Sequence, residues 1–234
     1  MDARDFLRRA VGTEGDYCLF VLKRDASGDV TKKIQRFFDN LEELQEQAER
    51  YDARGFDTYF GLATFKPGTT NRYANLALQM RALFLDLDCG EIKANPPDGG
   101  PPKGYIDQET ALKALRGFCK GYGLPRPLVV NSGRGVHVYW TLDEPALAHE
   151  WEPVARALKA ACESRGLLAD PAVTADAARI LRIPGTHNYK ADPPEQVEVW
   201  GGADDAAPVS LADMAELLDA GPPKLRPSPG ASSV

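Results

Sequence analysis

A chain of 234 residues with 43% hydrophobic content can bury a substantial core, as one large domain or two small ones. Its formal net charge of −6 excludes a uniformly basic surface that coats nucleic acid, while leaving room for a local basic groove. No apolar run approaches the roughly 20 residues needed to span a bilayer, and Met1 to Ala10, carrying Asp2, Arg4, Asp5, Arg8 and Arg9, lacks the apolar stretch of a secretory signal; a cytoplasmic location without a membrane partner is expected.

In chain order, Asp16 to Lys23 reads as a strand and Asp39 to Arg54 as a helix, with Asn40 as N-cap and Leu41, Leu44, Ala48 and Tyr51 at helical spacing. Thr58 to Phe65 is a second strand, followed by a polar loop from Lys66 to Arg72 and a third strand, Ala82 to Asp88. Asn95 to Gly104 is rich in Pro and Gly and reads as an exposed loop. Asp107 to Tyr122 is expected to be helical, with Ala111, Leu112, Leu115 and Phe118 as its apolar stripe. Strands at Leu128 to Asn131 and Val136 to Thr141 precede a long helix, Pro145 to Arg165, in which Trp151, Val154, Leu158 and Cys162 recur every three to four residues and His149 falls on the surface. Gly166 to Ala169 reads as a short strand that delivers Asp170 at its end. Arg179 to Ile183 and Val197 to Trp200 supply further strands, and a last helix starts at Ser210 as cap with Asp213 at the capping-box position. From Gly221 the composition turns to Pro, Gly, Ser and Ala, as in a flexible linker. The pattern is a mixed α/β (α+β) domain over 1–220 with a tail over 221–234. The four cysteines, Cys18, Cys89, Cys119 and Cys162, are spread without a Cys-x-x-Cys pair and signal neither a disulfide framework nor a zinc site.

Chemistry concentrates in three segments. In Leu83-Phe84-Leu85-Asp86-Leu87-Asp88, strand alternation makes Asp86 and Asp88 project the same way, roughly 6 to 7 Å apart along the strand. Such carboxylates suit Mg²⁺ or Mn²⁺, and two ions about 3.5 to 4 Å apart can serve phosphoryl chemistry. A lone Asp-x-Asp is equally a pair of solvated acids at a strand end. In Asn131-Ser132-Gly133-Arg134-Gly135-Val136-His137, two glycines permit close ligand approach, while Ser132, Arg134 and His137 supply hydroxyl, guanidinium and imidazole groups suited to a polyphosphate. His137, Tyr139 and Thr141 share one face of the following strand, which reads as the site face, and Val136, Val138 and Trp140 the other, which reads as core. In the third segment, Asp170 to Lys190, the acids Asp170 and Asp176 precede Arg182 and Lys190, cations that flank a Pro184-Gly185 turn where a triphosphate or a template backbone would be held.

The order Asp-x-Asp, Ser-Gly-Arg-Gly-x-His, then an acid followed by Arg-x-x-Arg-x-Pro-Gly-Thr-x-Asn-x-Lys, spread over about residues 57 to 200, resembles the archaeo-eukaryotic primase superfamily, and within it the primase-polymerase domains of phages and plasmids. That resemblance implies an α/β unit, to which residues 1–80 contribute, joined to a modified RNA-recognition-motif-like sheet over 81–220 that carries the motifs. It implies Asp86, Asp88 and a later Asp as ligands of two Mg²⁺ or Mn²⁺ ions, with Asp170 preferred and Asp176 as the alternative third ligand. Ser132, Arg134 and His137 would contact the incoming nucleotide, His137 as a phosphate hydrogen-bond donor, and Arg182 and Lys190 its phosphates. The activity implied is template-directed nucleotidyl transfer from (d)NTPs to a 3′-hydroxyl, as a DNA primase or polymerase in phage or plasmid replication. The partners are a single-stranded DNA template and a primer, with a C-terminal helicase module in a longer protein.

Other classes are weaker. A haloacid-dehalogenase-type phosphatase also uses an apolar strand and Asp-x-Asp, but near the start of its domain and usually continuing to Thr or Val, whereas Cys89 and Gly90 follow here. A replication-initiator nickase needs a His-x-His pair, which histidines 137, 149 and 187 do not form. A non-catalytic nucleic-acid-binding module would bind through exposed aromatics of a recognition-motif sheet.

Overall fold

The structure is a computed structural model that describes residues 1–201 and 206–219; the tail assigned from Gly221 onward, and position 220, lie outside the described residues. The elements in order are α1 (Ala3–Ala10), β1 (Asp16–Arg24), β2 (Val30–Phe38), α2 (Leu41–Asp52), β3 (Asp57–Phe65), β4 (Ala77–Asp88), α3 (Glu91–Ala94), α4 (Gln108–Tyr122), β5 (Leu128–Asn131), β6 (Gly135–Leu147), α5 (Ala148–Arg165), β7 (Ile180–Arg182), β8 (His187–Asn188), β9 (Glu195–Gln196), β10 (Glu198–Gly201) and α6 (Leu211–Leu217).

The expected caps form. Asn40 accepts from the Glu43 amide at 2.7 Å, Asp107 from Thr110 at 2.7 Å and Ser210 from Asp213 at 3.0 Å, each satisfying an amide that a helix start leaves without a partner. Two early elements were not expected. The helix α1 is capped by Asp2 and buries Phe6, Leu7 and Ala10 from an otherwise charged octapeptide. The strand β2 is an edge strand whose first four residues are exposed, with Lys32 and Lys33 blunting that edge. The helix read from Pro145 instead starts at Ala148, because β6 runs on to pair Ala146 with Met80 and Leu147 with Gln79. Pro145, which has no amide to donate, falls where the register shifts between Met80 and Ala82.

The main sheet has the order β10-β5-β6-β4-β3-β1-β2, all neighbours antiparallel. Its two halves meet where β3 and β4 pair at Ala63 with Met80 and at Phe65 with Ala77. Nearer its start, at Tyr59 to Gly61, β3 pairs with β7 instead, so β7 and the segment after it fill a wedge between the halves. The ring of Phe6 bridges that junction, edge-on to Phe60 at 5.7 Å and to Tyr139 at 5.1 Å. On the β4 side, Phe84 stacks on Trp151 at 5.6 Å and the Trp151 indole donates to the Ala82 carbonyl at 2.9 Å. The expected division of β6 into a core face and an open face does not hold along the strand: His137, Tyr139 and Thr141 are buried, as are Val136, Val138 and Trp140.

Candidate active site

The two acids of β4 and His137 of β6 are brought together by strand register. Asp86 lies opposite His137 and Asp88 opposite Gly135, and cross-strand partners share a face. The His137 Nε2 is 3.9 Å from Asp86 Oδ1. Burial, and then the positive charges of Arg182 and Arg179, hold the His137 imidazole down to about 3, so it stands beside Asp86 as a neutral ring. Burial, and then the like charges of Asp88 and Asp170, push the Asp86 carboxyl up to about 7.

Asp170 reaches the same place without being in a strand. Residues 167–170 are irregular, in contrast to the expected short strand, because the Leu168 amide donates to the Tyr105 hydroxyl at 2.9 Å rather than to a neighbouring backbone. Only the Asp170 amide makes a ladder-like bond, to the Asp86 carbonyl at 2.9 Å, and this lays the third acid beside the first. Its carboxylate accepts from the Ala172 amide and lies 3.6 Å from Arg179. Asp176 closes its own turn by accepting from the Ala178 amide at 2.9 Å, and it is not among the charges that act on Asp86.

The turn before β6 is shaped for close approach. Gly133 has φ +89° and a Cβ there would come within 2.8 Å of Asn188; a Cβ on Gly135 would come within 2.6 Å of the Leu87 carbonyl oxygen. Asn131 accepts from the Gly133 amide, Ser132 is buried, and the Ser132 carbonyl accepts from the Asn188 amide group at 2.8 Å. Arg134 is exposed at the tip. Lys190 follows Asn188 and donates its amide to that side chain at 3.0 Å. Burial, and then the positive charges of Arg24 and Arg134, lower the Lys190 ammonium, while Asp88 raises it. The cations of β1, the 132–135 turn and the segment after β7 thus gather beside the acids.

Arg182 is placed differently from a free phosphate ligand. It is buried, donates to Asp57 at 2.6 Å and lies 4.8 Å from the Tyr59 ring, while Arg24 takes the other Asp57 oxygen at 2.9 Å. The Tyr189 amide completes the set on Asp57. Asp57 was not singled out in the sequence, although an acid opening an apolar strand has to be paired once buried. Lys93 of α3, whose ammonium is 2.5 Å from Asp88, also escaped notice; nothing in the sequence marks that lysine. His187, by contrast, is turned away to Asp52 of α2.

Three carboxylates with hard oxygen donors, one of them raised by burial and then by its neighbours' charges, fit Mg²⁺ or Mn²⁺ in donor chemistry. Among the described residues, however, no three His, Cys, Asp or Glu side chains are close enough to hold one ion as they stand.

No protein-family model matches the chain, and no curated protein sequence does. Solved structures match in fold. The AEP domain of the cyanophage S-2L primase-polymerase superposes with a TM-score of 0.58 at 14% identity, over 87% of this chain and 89% of that one. The catalytic domain of primase RepB′, solved in complex with initiator DNA, gives 0.53 at 19% identity over 94% and 92%. A longer RepB′ primase structure gives 0.51 at 18% over 94% and 62%. The mixed helix and antiparallel-sheet fold is similar to the fold of these solved primase and primase-polymerase domains.

Proposed function

We propose that the chain is the catalytic domain of a DNA primase-polymerase that transfers nucleotides from (d)NTPs to a 3′-hydroxyl under template direction. Fold alone leaves the activity open. The observation that carries the reading is the convergence of Asp86, Asp88 and Asp170, from separate parts of the chain, next to the cations Lys93, Arg134 and Lys190. Acids for ions and bases for a polyphosphate, side by side, are what phosphoryl transfer requires.

Asp86, Asp88 and Asp170 would hold two divalent ions, which supply activation of the attacking hydroxyl and neutralisation of the leaving pyrophosphate. Arg134 and Lys190 would bind the triphosphate and orient it. The 132–135 turn, kept tight by Gly133 and Gly135, would let that triphosphate approach the backbone. Neutral His137 can donate one hydrogen bond to a phosphate oxygen without competing with the ions for Asp86. Arg182, fixed by Asp57, adds positive potential behind His137.

A second surface fits the single strand. Phe20 pairs with Gln35 on one side and Tyr59 on the other, and Tyr59 pairs with Arg182, so the four side chains share a sheet face. The Arg72 guanidinium overhangs the Phe20 ring at 5.7 Å, and its Nε is buried without a hydrogen-bond partner. Half-buried rings between arginines suit stacked bases and phosphates, and this strip leads through Arg182 toward His137.

The test is incubation with a single-stranded template, labelled nucleotides and Mg²⁺ or Mn²⁺, with and without a primer. Template-dependent products support the reading, and products without a primer add priming. Phosphate release without chain growth would assign a phosphohydrolase instead. Binding of the template with neither product would leave a nucleic-acid-binding module.

A further inference from the structure

The three carboxylates are balanced differently. Asp170 lies 3.6 Å from Arg179, and Asp86 faces the neutral His137, but Asp88 is held by the Lys93 ammonium at 2.5 Å from Oδ2. Lys93 is built into that position. It lies in α3, directly after Gly90 with its φ of +119°, and its carbonyl accepts from the Lys103 amide at 2.8 Å. The returning chain packs against both groups: a Cβ on Gly104 would lie 2.3 Å from the Asp88 carbonyl oxygen and 3.0 Å from Lys93 Cβ, and the Tyr105 amide donates to the same Asp88 carbonyl at 2.9 Å. The Lys93 side chain is 44% exposed, so its ammonium has solvent to move into.

An ion bound to a carboxylate oxygen at about 2.0 to 2.1 Å and an ammonium hydrogen-bonded to that same oxygen compete, because like charges would meet across one atom. Lys93 also adds to the positive potential that lowers Lys190, so an ammonium released from Asp88 is already beside the group assigned to the polyphosphate. Resting on the metal-dependent reading above, we propose that Lys93 is a built-in counter-cation: it keeps Asp88 out of ion coordination in the resting enzyme, and an incoming polyphosphate draws it off. Asp88 then exchanges an ammonium for a divalent ion, and the lysine exchanges a carboxylate for a phosphate.

The experiment is a titration of the whole chain with Mn²⁺ alone, free Mn²⁺ being read by electron paramagnetic resonance, in parallel with thermal unfolding. Wild type is expected to take one Mn²⁺ tightly. Lys93→Met should take a second ion without nucleotide, at least about tenfold more tightly than wild type does. Lys93→Arg, which keeps the charge, should follow wild type. Superimposable isotherms for Lys93→Met and wild type would overturn the proposal. So would weaker binding by a Lys93→Met protein of unchanged melting temperature, since Lys93 would then be ordering Asp88 rather than screening it. Asp86→Asn separates the two levels: if it binds as much Mn²⁺ as wild type, or if neither wild type nor Lys93→Met binds any, the underlying metal site is refuted and the gate with it.

Discussion

Burial and neighbouring acids disfavour the ionised form of Asp86, and replacing it with Asn should stabilise the protein while abolishing nucleotide transfer. Its side chain is only 20% exposed, and burial together with Asp88 and Asp170 raises the carboxyl from 3.8 to about 7. At about 1.4 kcal/mol per pH unit, keeping that group ionised above pH 7 costs the folded state on the order of 2 to 4 kcal/mol. The sign follows from linkage. A folded pKa above the unfolded one means that the native state binds the proton more tightly, so this stability is present below about pH 4 and is lost as pH rises to about 7. Asn carries no charge to desolvate. In a chelator at pH 8, Asp86→Asn should therefore melt roughly 5 to 15 °C above wild type, at about 2 to 4 °C per kcal/mol for a chain of this size. Near pH 4 the difference should vanish. Thermal unfolding followed by circular dichroism at the two pH values measures both. An Asn variant that melts at or below the wild-type temperature at pH 8 would refute the electrostatic picture of the site.

Five further substitutions probe the rest. Asp170→Asn should abolish primer extension, whereas Asp176→Asn, which alters a local turn, should retain it; full activity in the Asp170 variant would reverse the choice of third acid. Gly133→Ala forces a side chain onto Asn188 at a positive φ, and should lower stability by about 1 to 3 kcal/mol and raise the nucleotide Michaelis constant; unchanged kinetics would remove that turn from the site. Asp57→Asn leaves Arg24 and Arg182 without their buried acid and should cost about 3 to 5 kcal/mol in urea unfolding, a cost absent if the pair is dispensable. Arg72→Ala should weaken single-stranded DNA binding at every sequence and reduce the slope of log affinity against log salt by about 1. A slope equal to wild type would take Arg72 off the strand's path.

Much of this was legible in the residues, and the misses have physical causes. The acids on β4 and the histidine on β6 could be read because a period of two fixes the side on which each projects, and the glycines between them announced a turn. Asp170 is not delivered by the expected short strand: a single backbone bond to Asp86 and a tyrosine hydroxyl on Leu168 place it, neither of which leaves a periodic trace. The pairing of Arg182 with Asp57 left no local sign, because the two are 125 residues apart in sequence. Lys93 on Asp88 and Arg179 on Asp170 are near in sequence, but turns of the chain rather than a helix or strand period bring them together. The edge strand β2 was missed because its Lys-Lys-Ile-Gln-Arg run has no apolar alternation to signal a half-buried face.

The most direct measurement is a crystal of the protein soaked with Mn²⁺ and a non-hydrolysable deoxynucleoside triphosphate, examined by anomalous scattering at the manganese edge. Expected are two peaks among Asp86, Asp88 and Asp170, with the triphosphate against Arg134 and Lys190. Manganese bound away from these acids, or a triphosphate bound elsewhere while the acids stay bare, would contradict the assignment of this site.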